Sequence, residues 1–99
     1  MSAQIVVLYP PGKFDIDYYL EKHMPIAMKQ WGPHGFKSYK IITFAEGSPY
    51  TTQCTMFWDS HEAFDKGVGS PEAKEVFGDI ANFSDTKPVV FGGTVLFHS

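Results

Sequence analysis

The sequence predicts an α+β sandwich: a four-stranded antiparallel sheet with two helices on one face. Three observations carry that expectation. Apolar, turn-bounded runs and helical stretches follow one another in the order β-α-β-β-α-β. Ninety-nine residues suffice for one core, so the whole span 1–99 reads as a single domain. Nine Phe, five Tyr and two Trp supply the bulk to fill that core.

The elements follow in order. Residues 3–9, Ala-Gln-Ile-Val-Val-Leu-Tyr, form a β-branched apolar run stopped by Pro10-Pro11-Gly12, which reads as a strand and a turn. Asp15 suits the N-cap of a helix from Ile16 to about Trp31, closed by Gly32-Pro33. Ile16, Tyr19/Leu20, His23/Met24, Ala27 and Trp31 recur there at helical spacing. Pro25 withholds the N–H that would bond the carbonyl of Glu21, so a kink or a loosened turn is expected beside it. Phe36–Ala45 and Thr51–Trp58 read as a hairpin around Glu46-Gly47-Ser48-Pro49. Ser60 caps a short helix over 61–68, weakened by Gly67 and Gly69. Ser70-Pro71-Glu72 restarts a helix to about Ile80. A loop over 81–87 leads to a last strand, Pro88 to Phe97. This is a ferredoxin-like βαββαβ sandwich with its second helix broken in two.

Both faces of the sheet are apolar. Ile5, Val7 and Tyr9 alternate with Val6 and Leu8; Val89, Phe91, Val95 and Phe97 alternate with Val90, Thr94 and Leu96. Helices cover one face only, and an antiparallel sheet that is apolar on its second face should hide it in a partner. A homodimer with face-to-face sheets, closing into a dimeric α+β barrel, is expected. Gly92-Gly93 within the last strand reads as a bulge or as room for a ligand or another backbone.

Net charge is −3, with eight Lys and no Arg. That composition argues against nucleic-acid partners and against phosphate or carboxylate recognition as the main task. One cysteine, Cys54, excludes an internal disulfide and fits a reducing compartment. No run approaches the roughly twenty apolar residues of a membrane span, and the N-terminal stretch does not resemble a signal peptide. A cytoplasmic location without membrane association is the resulting expectation.

His23 is the leading candidate for chemistry. It lies on the face of the first helix that should be buried, one turn from Tyr19 and beside the turn that Pro25 loosens. A core histidine satisfied by a tyrosine or a carbonyl is the plain reading. The functional reading is that an imidazole beside phenols, with Tyr9 and Tyr39 on neighbouring strands, exchanges protons with an enolisable carbonyl compound. His34, His61 and His98 are expected to be exposed. No His/Cys spacing suits a metal, and no dinucleotide fingerprint or phosphate loop supports a cofactor. Cys54 reads as a buried, inert thiol. Asp79 and Asn82, where the second helix turns into the last strand, most often cap and tie a loop. In the functional alternative Phe77, Ile80 and Phe83 wall one end of a pocket, and Asp79 orients a ring or a water.

The run Phe14-Asp-x-Asp-Tyr-Tyr-Leu-x-x-His23-Met-Pro25 resembles the signature of EthD-domain proteins, as does Gly78-Asp-Ile-x-Asn-Phe-Ser-Asp85. The resemblance runs from the first strand to the last. It implies a dimeric α+β barrel of ferredoxin-like protomers, in a superfamily that holds polyketide cyclases, muconolactone isomerases, cofactor-free monooxygenases and haem-degrading enzymes. The signature histidine matches His23. The pocket implied between sheet and helices makes Tyr9, Tyr19, Tyr39, Trp58 and Phe83 candidate linings, with no evident haem ligand and no cofactor. Kinship of fold does not specify a reaction.

Two functions follow as expectations. In the first, a small dimeric enzyme performs acid/base chemistry (cyclisation, isomerisation, dehydration or cofactor-free oxidation) on an apolar carbonyl or aromatic metabolite. His23 is its acid/base, Tyr39 or Tyr19 its hydrogen-bond donor, and Tyr9, Tyr19, Trp58, Phe77, Asp79 and Phe83 hold the substrate. In the second, a non-catalytic module binds a small hydrophobic molecule for an oxidative degradation system. A purely structural dimer would have a filled core and no pocket.

Overall fold

The computed structural model describes residues 3–96. The fold is ferredoxin-like: four antiparallel strands in the order β2-β3-β1-β4, with the helices packed on one face. The strands are β1 (Ala3–Tyr9), β2 (Phe36–Thr43), β3 (Thr52–Trp58) and β4 (Val89–Thr94). Phe97, expected in the last strand, and His98 lie outside the described residues. The hairpin between β2 and β3 turns at Gly47, whose φ of 89° is one that glycine adopts without strain.

The first helical rod has three parts. A turn, α1 (Ile16–Tyr18), is capped by Asp15, whose side chain accepts from the Tyr18 N–H at 3.1 Å. A π-helical turn, Tyr19–His23, follows, with the Met24 N–H bonded to the Tyr19 carbonyl five residues back. The rod then continues as α2 (Met24–Trp31), in which Pro25 occupies the first turn. The loosened turn expected from Pro25 is therefore present, as a widened helix immediately before it. Pro25 has no N–H to give to the continuous rod, and the wider turn that precedes it takes up the break in the i→i−4 ladder.

The second helical region is broken, as Gly67 and Gly69 suggest. Ser60 caps α3 (His61–Val68) through Ala63 N–H at 3.0 Å. The next helix, α4 (Ala73–Gly78), starts later than Ser70-Pro71 predicts, and a 3₁₀ turn, Ile80–Asn82, ends the region.

On the helix side of the sheet, Ala3, Ile5, Val7 and Tyr9 of β1 stand opposite Trp58, Met56, Cys54 and Thr52 of β3. Across the other edge of β1, Val7 faces Val90 and Ile5 faces Gly92. Register between β1 and β4 is continuous from Ala3↔Thr94 to Leu8↔Val89. The bulge considered for Gly92-Gly93 is therefore absent. Gly92 instead makes room for its neighbours, since a Cβ there would stand 2.8 Å from Ile5 Cδ1 and 3.2 Å from the His61 ring. A register irregularity does occur in β2, between Phe36 and Ser38.

The opposite face of the sheet carries Val6 and Leu8 of β1 with Phe91 and Val89 of β4. Phe91 is 53% exposed in the single chain. No helix among the described residues is long and apolar enough to cross a membrane.

Candidate functional site

Between the helices and the sheet lies a cavity of about 280 Å³. Its floor is formed by Val7 and Tyr9 of β1, Cys54 and Met56 of β3 and Val90 of β4. Tyr19, His23, Ala27 and Trp31 descend from the first helical rod; Phe64, Val76, Phe77 and Ile80 close the sides. Phe77 and Val90 are about half exposed, so the mouth opens between α4 and the β4 edge. The side chains of the described residues thus leave space between the helices and the sheet.

His23 is 5% exposed and lines this cavity. The π-helical turn sets its ring almost parallel to that of Tyr19, with centroids 5.5 Å apart and an interplanar angle of 15°. Phe83 packs against both rings, tilted on His23 at 4.5 Å and on Tyr19 at 4.9 Å. Nδ1 lies 2.9 Å from Oδ2 of Asp79, a buried contact that bridges the first helical rod and the end of α4. Asp79 is held in turn: the Tyr18 hydroxyl donates to its Oδ1 at 2.6 Å, and the Asn82 amide donates to the same atom at 2.9 Å. Asp79 thus orients a ring, as the functional alternative required, and also ties the loop.

The electrostatics fix the protonation state. Burial works to raise the Asp79 carboxyl, but hydrogen bonds from Tyr18, Asn82 and His23 hold it below the ordinary carboxylate value. Burial pushes His23 below its ordinary value against the opposing pull of Asp79. A carboxylate has no proton to give, so Nδ1–H is the donor and the neutral ring keeps a lone pair on Nε2. Tyr18, donating to Asp79, is raised and stays protonated.

A second group of polar atoms lies at the sheet. Tyr9 and Tyr19 meet edge-on with ring centroids 5.7 Å apart, and Cys54 stands beside them. Burial raises both phenols well above the ordinary tyrosine value and pushes the Cys54 thiol up to about 11. All three therefore stay protonated at neutral pH, and Cys54 is no nucleophile. The indole N–H of Trp31 is committed to the carbonyl of Gly67 at 3.0 Å. No lysine, aspartate or glutamate lines the cavity. No cluster of three or more His, Cys, Asp or Glu suited to a metal occurs among the described residues.

Of the residues singled out from sequence, His23, Tyr9, Tyr19, Cys54, Phe77 and Ile80 line the cavity. Asp79 and Phe83 stand behind His23, in contact with its ring rather than on the cavity wall. Trp58 is buried outside the cavity, stacked on Phe36 at 5.2 Å and tilted against Trp31 at 5.6 Å. Tyr39 belongs to the edge strand β2 and packs against Phe36 at 6.0 Å, away from the cavity lining. This corrects the expectation that Tyr39 and Trp58 reach the pocket. The sheet order sets Tyr39 on β2, two strands from β1, whereas the cavity sits over β3, β1 and β4; Trp58 is on β3 but at its far end, opposite Ala3 and past Cys54 and Met56. The role of Tyr18 in holding Asp79 was not foreseen; the signal for it was its place in the same Tyr-Tyr pair as Tyr19.

The EthD domain model matches residues 13–87. The chain belongs to the EthD family. Its fold is similar to that of an EthD-like protein of Ralstonia eutropha, at 28% identity over 99% of this chain and 95% of that one, with a TM-score of 0.85. SnoaB, a cofactor-independent oxygenase from Streptomyces nogalater, shares the fold at 11% identity, 99% and 98% coverage and a TM-score of 0.68. A dimeric ferredoxin-like protein of unknown function from Thermobifida fusca does so at 16% identity, 96% and 92% coverage and a TM-score of 0.64. No curated protein matches the chain.

Proposed function

We propose that this EthD-family protein is a homodimeric enzyme that removes a proton from a small, apolar, enolisable carbonyl compound, with His23 as the base. The observation that carries the reading is the Nδ1–Asp79 bond at 2.9 Å on a histidine that lines an otherwise apolar cavity. Asp79 fixes the tautomer and partly offsets the positive charge that forms on the ring, as an oriented base requires. The C–H bond breaks, its proton goes to Nε2, and the electron pair moves onto the carbonyl oxygen. Cyclisation, isomerisation, dehydration or oxidation by dioxygen can each proceed from the resulting enolate. That a cofactor-independent oxygenase shares the fold is compatible with the last of these.

The dimer is supported by the second apolar face of the sheet, where Val6, Leu8, Val89 and Phe91 form a patch that the protomer's helices leave uncovered. It is also supported by the dimeric neighbour of the same fold.

The test uses 2-tetralone, a bicyclic enolisable ketone. Wild-type protein is expected to catalyse exchange of its α-protons in deuterium oxide, followed by NMR. His23→Gln should bind the ketone and lose the catalysed exchange. Exchange undiminished in a folded His23→Gln protein would exclude the acid/base role. The nearly uniform apolar lining favours a second reading, a carrier without catalysis. That reading predicts binding with no catalysed exchange in either protein.

A further inference from the structure

Among the described residues, the cavity lining has one polar corner and no Lys, Asp or Glu. His23 lines it, with Nδ1 turned to Asp79 and Nε2 left free of that bond. Beside His23, Tyr19 stacks on its ring and Tyr9 meets Tyr19 edge-on, so that the two phenols reach the cavity from different elements, one from β1 and one from the π-helical turn. Both are almost fully buried, at 2% and 1% exposure. The remaining lining is aliphatic, aromatic or sulfur-bearing.

From this arrangement we infer that the ligand is an uncharged ring compound carrying an oxygen acceptor, which Tyr9 and Tyr19 hold by hydrogen bonds while the rest of the ring system lies among apolar side chains. The inference rests on the acid/base reading for its chemical consequence, though not for its test. Phenols kept protonated by burial are suited to donate and unsuited to accept a proton. An anionic ligand would leave water without finding a cation: no lysine lines the cavity, the chain has no arginine, and the charge that His23 contacts is the Asp79 carboxylate. Burial of an unpaired ion is costly enough to exclude carboxylates and phosphates. Size sets the other limit. A cavity of 280 Å³ stands near the lower end of the roughly 300–1,000 Å³ usual for small-molecule sites. One or two fused rings fit it; a polycyclic ligand needs space beyond the mouth at Phe77 and Val90.

The chemical consequence is a division of labour. When a proton passes from carbon to Nε2, the charge that develops on the ligand oxygen is met by the two phenols that burial keeps protonated. Those donors strengthen as the charge grows. Tyr9 and Tyr19 are then positioning and oxyanion-stabilising residues, the part first expected of Tyr39.

Three probes with one skeleton test this: 2-tetralone (ketone), tetralin (hydrocarbon) and 1,2,3,4-tetrahydro-2-naphthoate (carboxylate). Binding is read at pH 7 from the fluorescence of Trp31, whose ring lines the cavity. The ketone is expected to bind about 3–10-fold more tightly than the hydrocarbon, as one or two neutral hydrogen bonds allow. The carboxylate should bind at least about tenfold more weakly than the ketone. Tyr9→Phe and Tyr19→Phe should each remove most of the ketone's advantage while leaving tetralin within about twofold, which separates a lost donor from a damaged fold. The inference is overturned if the carboxylate equals the ketone, if the variants weaken ketone and hydrocarbon alike, or if none of the probes binds. Lost ketone preference with His23-dependent exchange intact overturns this inference alone. Intact ketone preference without catalysed exchange overturns the acid/base reading and leaves the ligand class standing.

Discussion

His23 and Asp79 stand 56 positions apart in the chain, yet Nδ1 of one lies 2.9 Å from Oδ2 of the other. The pair joins the two segments that carry the EthD resemblance, the first helical rod and the turn after α4. Its geometry assigns the proton: Nδ1–H is given to the carboxylate, and Nε2 is left as the basic atom. Tyr18 and Asn82 hold the carboxylate so that it cannot turn away. In the acid/base reading proposed above, this arrangement orders His23 before any ligand arrives, so little reorganisation is needed at the moment of proton transfer.

Asp79→Asn should separate orientation from binding. The amide can present its NH₂ to Nδ1 and so favour the tautomer that carries its proton on Nε2, the wrong one for a base. Catalysed exchange of 2-tetralone should fall by about 10²–10⁴-fold, the range over which general-base help operates. Affinity for the ketone should change little, because Asp79 does not line the cavity. NMR exchange rates read beside a binding titration check both halves.

The pH dependence has a defined sign. Burial holds His23 below its ordinary value of 6.5. The neutral, active form therefore persists through pH 7, and the rate should decline on the acid side with an apparent value under 6.5. Stability follows the same direction. Between the folded and unfolded values the unfolded chain binds more protons, so this contribution is complete above about 6.5 and is lost as the pH falls below it. Asp79 adds a second loss at lower pH, beginning as the pH falls through its ordinary 3.8. Rate profiles from pH 4 to 8 and urea midpoints from pH 2 to 8 would reveal these trends; a rate that rises toward acid would contradict the base assignment.

What the sequence made legible was local. Helical spacing put His23 one turn from Tyr19, and Pro25 marked the loosened turn, because both depend on residues within one or two turns. Asp79 could be named as a group that orients a ring, but its partner could not, since only the folded chain brings position 79 beneath position 23. Trp58 lies on β3 under the site but at that strand's far end, opposite Ala3 and past Cys54 and Met56, and the error over Tyr39 concerns the sheet order. Alternation tells which face a strand residue occupies, and Tyr39, opposite Met56, does share the helix side. Alternation does not tell which strand lies at the edge. With β2 outermost, Tyr39 is one strand too far, while Tyr9 on central β1 is over the site.

Tyr39→Phe is accordingly expected to leave ketone binding and exchange within about twofold of wild type, well inside the effect of one neutral hydrogen bond. Tyr19→Phe should lower both. Equal losses in the two variants would return Tyr39 to the site and overturn the placement of the oxygen at Tyr9 and Tyr19.

Phe91→Lys tests the proposed dimer face. Phe91 is paired with Val6 across the β1–β4 ladder and is 53% exposed in the single chain. A charge placed in the centre of an apolar interface opposes its own twofold copy and desolvates without a partner. Light scattering should report twice the chain mass for wild type and the chain mass for the variant. A monomeric wild-type protein at tens of micromolar would rule out the face-to-face dimer.

Gly67→Ala probes the wall behind the cavity, where Trp31 and Trp58 meet. Two effects of opposite sign compete. Within a helix, alanine is favoured over glycine by about 1 kcal/mol. A Cβ at this position, however, would stand 2.7 Å from Cη2 and 2.9 Å from Cζ3 of Trp58. Trp58 cannot yield easily, being 1% exposed and held between Phe36 and Phe64. Overpacking of that kind costs about 1–3 kcal/mol, and the Gly67 carbonyl that anchors the Trp31 indole would move with the helix. The packing loss should exceed the helical gain, lowering the urea midpoint with the slope unchanged. Trp31 would also be released from its hydrogen bond, so its fluorescence response to 2-tetralone should weaken in the same variant. A raised midpoint would mean that the Trp58 ring has freedom that its stacking on Phe36 does not suggest.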